Sequence, residues 1–141
     1  MNIRKLKHTE LAYGNIVGYE ERGKVKPYEV LYANHKDVHL MCSRIPLYLA
    51  MPIPLMPKHL LDNGFIAVCE NIYVYYEDSN QSAITVRYGK DKNNDHYLFT
   101  LSIIAESKSL VMQMSYVHEF QNAIRLLGFN KLLNNLKIKE V

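Results

Sequence analysis

Ser115-Tyr116-Val117-His118-Glu119-Phe120-Gln121-Asn122-Ala123-Ile124-Arg125-Leu126-Leu127-Gly128-Phe129 is the stretch whose reading decides the fold. It carries a start, a stripe and a stop for one amphipathic helix. Ser115 is placed to accept a hydrogen bond from the free amides of a first turn. Val117, Phe120, Ile124 and Leu127 recur at spacings of three and four, so they share one face. Gly128 suits the left-handed residue that ends a helix, and Phe129 is placed to fold back onto Ile124. A helix with one apolar stripe needs a second layer to bury it.

The residues upstream supply that layer. From 66 to 116 the pattern is that of β-strands, with segments at 72–77, 83–88, 97–104 and 110–114. Polar turn-forming stretches at 77–80, 89–95 and 106–109 separate them. No crossover helix fits between the segments, so they are expected to pair antiparallel as a meander. In the third of them Tyr97, Phe99, Leu101 and Ile103 fall on one face by alternation. The helix at 116–127 is expected to lay its stripe on this sheet. A last segment at 130–136 has Asn130 as a cap and Leu132, Leu133 and Leu136 directed inward.

Upstream of the meander the chain reads as a smaller β-unit. Residues 1–13 are a basic lead-in with Leu6 and Leu11 available for packing. Gly14-Asn15 and Glu21-Arg22-Gly23 are turn signals that bracket Ile16, Val17 and Tyr19. Tyr28, Val30 and Tyr32 alternate with Glu29 and Leu31, as in a strand with one face in a core. Asn34 to Asp37 turn the chain, and Val38, Leu40 and Cys42 alternate again. Three short strands of this kind predict a small curled sheet with an SH3-like form. Pro46, Pro52, Pro54 and Pro57 exclude a central strand from the next stretch, since proline donates no ladder hydrogen bond. Pro57 suits the first position of a short helix at 57–63, closed by Gly64 with Phe65 folding back onto Leu60. The expected class is therefore α+β: a small N-terminal β-unit plus an antiparallel meander packed by a C-terminal helix. All of it belongs to one domain, 1–141, divided into 1–43, a connector at 44–65, and 66–141.

Composition narrows the setting. With 48% apolar and 22% charged residues the chain is an ordinary globular one. The longest apolar tract, 45–55, is interrupted by prolines and is too short to span a bilayer, so no membrane is implied. The basic start is followed by no apolar core of a signal peptide, which places the protein in a host cytoplasm or within a particle assembled there. Cys42 and Cys69 form no CxxC pair and read as reduced, buried thiols. Eleven tyrosines and no tryptophan suit half-buried strands and adhesive surfaces. The net charge of +3 is too small to concentrate polyanions by itself.

Residues that carry chemistry are scattered. His35 and His39 fall in a turn and a strand, where a spacing of four does not align them, and no third ligand joins them. Ser115, Cys42 and Cys69 lack a nucleophile elbow or an oxyanion loop. Gly14-Asn15-Ile16-Val17-Gly18 lacks the Lys-Ser/Thr pair of a phosphate loop, and Glu20 and Glu21 are neighbours that point apart. No enzyme, metal, cofactor or small-molecule substrate is implied. The row His118, Gln121, Asn122 and Arg125, opposite the apolar stripe, is the candidate surface for a partner. Its structural reading has His118 bonded to a neighbouring strand and the amides forming the wet side of a surface helix. An alternative, nucleic-acid binding, draws on the sheet tyrosines as stacking platforms, with Arg4, Lys5, Lys7, Lys137 and Lys139 on phosphates.

Three motifs spread along the chain point to a family. They are Leu11-Ala12-Tyr13-Gly14-Asn15-Ile16-Val17; Ile53-Pro54-Leu55 with Leu60-Leu61-Asp62-Asn63-Gly64-Phe65; and Tyr116-Val117-His118-Glu119-Phe120-Gln121-Asn122. Together they resemble small uncharacterised proteins encoded by gut Bacteroidales, their integrative elements and their phages. The family's pattern has a Gly-Asn strand start, an Ile-Pro-Leu-Thr helix entry that ends in Gly-Phe, and a C-terminal His, Leu/Phe-Gln-Asn helix. Here Met56 stands where that pattern has its capping threonine. The resemblance implies a compact α+β accessory protein of a phage or mobile element, and no activity. The expected mode of action is therefore non-enzymatic, through a protein partner or a homo-oligomer.

Overall fold

The computed structural model describes residues 5–41, 43–77, 83–90, 97–105, 108–139 and 141, with side chains for all of these except 90, 97–105 and 108–110. The fold is α+β, with two antiparallel sheets and three short α-helices. Contacts divide the chain into two compact units. The first takes residues 1–54, 116–122 and 138–141; the second takes 55–115 and 123–137. The division expected at 43/44 and 65/66 does not coincide with these units. The proline-rich stretch is shared between them, and the chain returns to the first unit twice.

In the first unit β1 (Ile16–Glu21), β2 (Lys24–Ala33), β3 (Asp37–Leu40) and β4 (Arg44–Pro46) form a four-stranded meander in the order β1-β2-β3-β4. β4 was not anticipated, because Pro46 lies in it; the proline closes the last strand of the row, where a missing donor is tolerated. A one-turn 3-10 helix, Leu47–Leu49, follows. Met51 then bridges back to Gly18 on β1, each residue's N–H donating to the other's carbonyl at 2.8 Å. The sheet thus curls until the chain beyond its last strand meets its first. Gly18 leaves room for Val25 of β2, since a Cβ there would sit 2.9 Å from Cγ1 of Val25.

The core of this unit is Val17, Val30, Val38, Leu40, Ile45 and Ala50, with Leu6 packed in from the lead-in and Leu11 beside it. Tyr32 was expected on the core face with Val30. The ladder slips between Val30 and Tyr32, so Tyr32 is exposed and stacks on His39 instead, with ring centroids 4.0 Å apart.

The second unit holds the meander β5 (Ile66–Cys69), β6 (Ile72–Tyr76), β7 (Ala83–Lys90), β8 (Tyr97–Ala105) and β9 (Lys108–Met114), each strand paired with the next. The expected apolar face at Tyr97, Phe99, Leu101 and Ile103 lies among side chains outside those described. The same holds for the turns at 78–82, 91–96 and 106–107 and for Cys42. Helix α1 (Pro57–Asp62) opens on its proline. The first turn is closed by His59, whose Nδ1 accepts the Met56 N–H at 3.0 Å. A side chain three residues in thus satisfies the N–H of the residue before the helix, the returning half of a capping box.

Gly64 takes a left-handed φ of 89°, and the Phe65 N–H donates to Leu60 O at 3.1 Å. Phe65 packs on Tyr75, and Tyr75 meets Phe129 edge-on. Asn63 holds the tail: its Nδ2 donates to Lys137 O at 2.8 Å and its Oδ1 accepts the Lys137 N–H at 2.7 Å.

Helix α2 (Val117–Leu126) ends as the glycine signal predicts, with Gly128 at φ 81° and the Phe129 N–H donating to Ile124 O. At its start the Glu119 carboxylate reaches back to the Tyr116 N–H at 3.1 Å. Val117, Phe120 and Ile124 are buried. Helix α3 (Asn130–Asn135) follows, with Asn130 as its first helical residue rather than its cap. Glu77 accepts the Leu132 N–H from its first turn at 3.0 Å. Cys69 is exposed at the end of β5 rather than buried. None of the described helices is long and apolar enough to cross a membrane.

Candidate functional site

Two members of the polar row of α2 are buried: His118 is 0% and Gln121 2% exposed. The reading of the amides as a wet side is corrected at Gln121, and Asn122 is half-buried. Gln121 acts as a stand-in for a strand: its Oε1 accepts the Ile16 N–H at 2.7 Å, and its Nε2 donates to Gly14 O at 2.9 Å. Those are backbone groups at the entry to β1, the first strand of its row. Asn122 donates to Glu10 O at 3.0 Å and accepts from Asn15 Nδ2 at 2.9 Å. Asn15, itself buried, uses its Oδ1 to accept the Ala12 N–H at 2.7 Å. His118 Nε2 meets Glu10 Oε1 at 2.7 Å.

The Gly14-Asn15 pair is therefore more than a turn. Gly14, at φ 86°, bends the chain so that its own N–H reaches Val30 O at 2.8 Å and its carbonyl reaches Gln121. The network ties residues 10–16 to one turn of helix through buried and half-buried side chains hydrogen-bonded to one another and to backbone, which is how a polar interior gains uniqueness. A recess of about 230 Å³ lined by Thr9, Glu10, Leu11, His118 and Asn122 lies over it. Arg125, the fourth member of the row, belongs to the second unit and is half-buried.

The basic residues separate likewise. Arg4 lies outside the described residues, while Lys5 and Lys7 are exposed on the first unit. Lys137 is in the second unit, where its backbone is held by Asn63, and Lys139 is exposed on the tail. Of these, Lys5 lies in a groove of the first unit.

That groove, about 520 Å³, is lined by Lys5, Tyr19, Glu20, Arg22, Tyr48 and Leu49, among others. Three elements build it: β1, the β1–β2 turn, and the 3-10 turn held against β1 by the Gly18–Met51 bridge. Tyr48 is 80% exposed, the most open of the described large apolar side chains. Tyr19 is half-buried and braced edge-on by Tyr28, with ring centroids 6.1 Å apart.

Glu21 beside Arg22 is already engaged by the Tyr28 hydroxyl and by Lys26. Among the described residues neither Arg22 nor Lys5 takes part in an ion pair. Two cations and two tyrosines thus face one open channel, with Glu20 the carboxylate among them. Sequence reading placed Tyr48 in a proline-broken connector and Arg22 in a turn. The signal available was an arginine before the glycine of a tight hairpin, where asparagine is usual.

The fold and these sites define an α+β protein with a buried polar anchor and an open aromatic groove. Among the described residues no group of three or more His, Cys, Asp or Glu is placed to hold a metal. No family model, no curated protein and no solved structure matches the chain.

Proposed function

We propose that this is a non-enzymatic accessory protein of a phage or mobile element that works by binding another protein. One observation carries the binding mode: the first unit presents an open groove in which Tyr48 is almost fully exposed and Lys5 and Arg22 are in no ion pair among the described residues. Tyrosine and arginine are enriched at the energetic centre of protein interfaces: tyrosine covers much area with two rotatable bonds, and arginine offers a planar fork of donors. The mobile-element setting rests on the motif resemblance at residues 11–17, 53–65 and 116–122.

The row His118, Gln121, Asn122 has a different role in this reading. It holds the first unit together, and with it the strand that forms one wall of the groove. Nucleic-acid binding, the alternative, gains less support: of its described cations, Lys5, Lys7, Lys137 and Lys139, Lys5 alone lines this groove with the tyrosines. The test is affinity capture from the native host with the full chain and with Tyr48→Ala. A stoichiometric protein partner, or a second copy of the chain, that is retained by the wild type and lost by the variant is the expected result. Recovery of monomer alone, or of a partner indifferent to Tyr48, overturns the reading.

A further inference from the structure

The hairpin that forms one lip of the groove is built in an unusual way. Glu21 pairs with Lys24 across a two-residue turn, and both turn residues have positive φ: Arg22 at 51° and Gly23 at 79°. Turns of this kind match the twist of the flanking strands, and they favour Asn-Gly, because asparagine and glycine enter the left-handed region easily. In the second unit the described non-glycine residue at positive φ is an asparagine, Asn71 at 63°, in the turn between β5 and β6. In the first unit it is an arginine, in a region that a long side chain rarely adopts. Its guanidinium meets no carboxylate among the described residues, although Glu21 is its neighbour in sequence. The groove is where this cation lies.

The rest of the lining says what would be received there. Two cations and one carboxylate, Lys5 and Arg22 against Glu20, leave a net of +1. A single-stranded nucleic acid brings one negative charge with every nucleotide, so a phosphate near Glu20 would meet repulsion. A peptide can set one carboxylate at Arg22 and Lys5 and carry uncharged residues past Glu20. Tyr48 and Leu49 add an apolar, aromatic wall, and Tyr hydroxyls can donate to the carbonyls that an extended chain leaves free. Aromatic-walled channels of this size suit a few residues of extended or polyproline-like chain.

We infer that the groove between the β1–β2 turn and the 3-10 turn binds an extended acidic segment of a partner protein, with a carboxylate on Arg22 and Lys5 and an apolar or proline residue on Tyr48. The inference rests on the protein-binding reading above and names the chemistry of its partner. Arg22 is then the residue that sets specificity, through a planar, bidentate contact that lysine does not reproduce.

The experiment is selection of a random dodecapeptide display library on the immobilised full chain. It is followed by fluorescence titration of an enriched synthetic peptide and, in parallel, of labelled oligo-dT at low salt. Selected sequences rich in Asp or Glu beside apolar or proline residues are expected, with affinity falling about tenfold or more in both Arg22→Asn and Tyr48→Ala. Arg22→Asn keeps the left-handed turn and removes only the guanidinium, and circular dichroism confirms the fold of each variant. Enriched peptides without acidic bias that still depend on Tyr48 overturn the acidic specificity and leave protein binding intact. No enriched peptide, or oligo-dT binding that Arg22→Asn abolishes, overturns both.

Discussion

His118, Gln121 and Asn122 form the most conspicuous polar cluster in the sequence, and Arg22 and Tyr48 are among the least conspicuous residues in it. In the folded first unit their positions are reversed. The cluster is enclosed and every amide in it is bonded to backbone or to another amide, whereas Tyr48 and Arg22 stand open at a groove. The difference teaches that a row of polar side chains on a helix does not announce an outer face. A helix packed beside an unfinished ladder can use its amides to complete it, and Gln121 does so for Ile16 and Gly14.

The sharpest way to break the comparison is to remove Gln121. Gln121→Ala leaves the part-buried Ile16 N–H and Gly14 carbonyl without their partner, an expected loss of about 2–4 kcal/mol in denaturant unfolding. A loss below about 1 kcal/mol would mean that the row is dispensable and the contrast false. Asn122→Ala removes one bond to Asn15 and one to Glu10 O, and is expected to cost about 1–3 kcal/mol by the same measurement. Gly18→Ala probes the bridge that shapes the groove. Its Cβ would meet Val25 at 2.9 Å, so a cost of about 1–2 kcal/mol is expected.

At the groove the sign reverses. Arg22→Asn relieves a backbone that suits arginine poorly, and the variant is expected to be about 0.5–1 kcal/mol more stable. Tyr48→Ala should change stability by less than about 0.5 kcal/mol, even as partner capture is lost. A melting temperature that drops sharply in either groove variant would show that these side chains serve the fold.

Much of the architecture was legible because it rests on local chemistry. The Gly64-Phe65 and Gly128-Phe129 endings follow from backbone sterics that a glycine and its neighbour reveal unaided, and the meander follows from alternation and turn composition. What was hidden depends on distance in sequence. Nothing near Gln121 discloses that residues 14 and 16 lack partners, and nothing near Pro46 discloses that it ends a strand at the rim of a row. Tyr32 was misplaced because a ladder slip is invisible to an alternating pattern. The groove needed three separate segments brought together, and only the arginine before Gly23 hinted at it.

One detail of the second unit bears on how the molecule behaves in a crowded solution. β5 is the first strand of its row, with Ile66, Ala67, Val68 and Cys69 all exposed and no charge among them. Such an edge ordinarily recruits further strands and seeds aggregates. Its ladder with β6 slips between Ala67 and Cys69, which makes Val68 the extra residue of a bulge. The kink spoils the even spacing of free donors and acceptors that a growing fibril must read. Deleting Val68 is expected to restore a regular edge and to raise the protein's tendency to self-associate, read as increased light scattering on concentration.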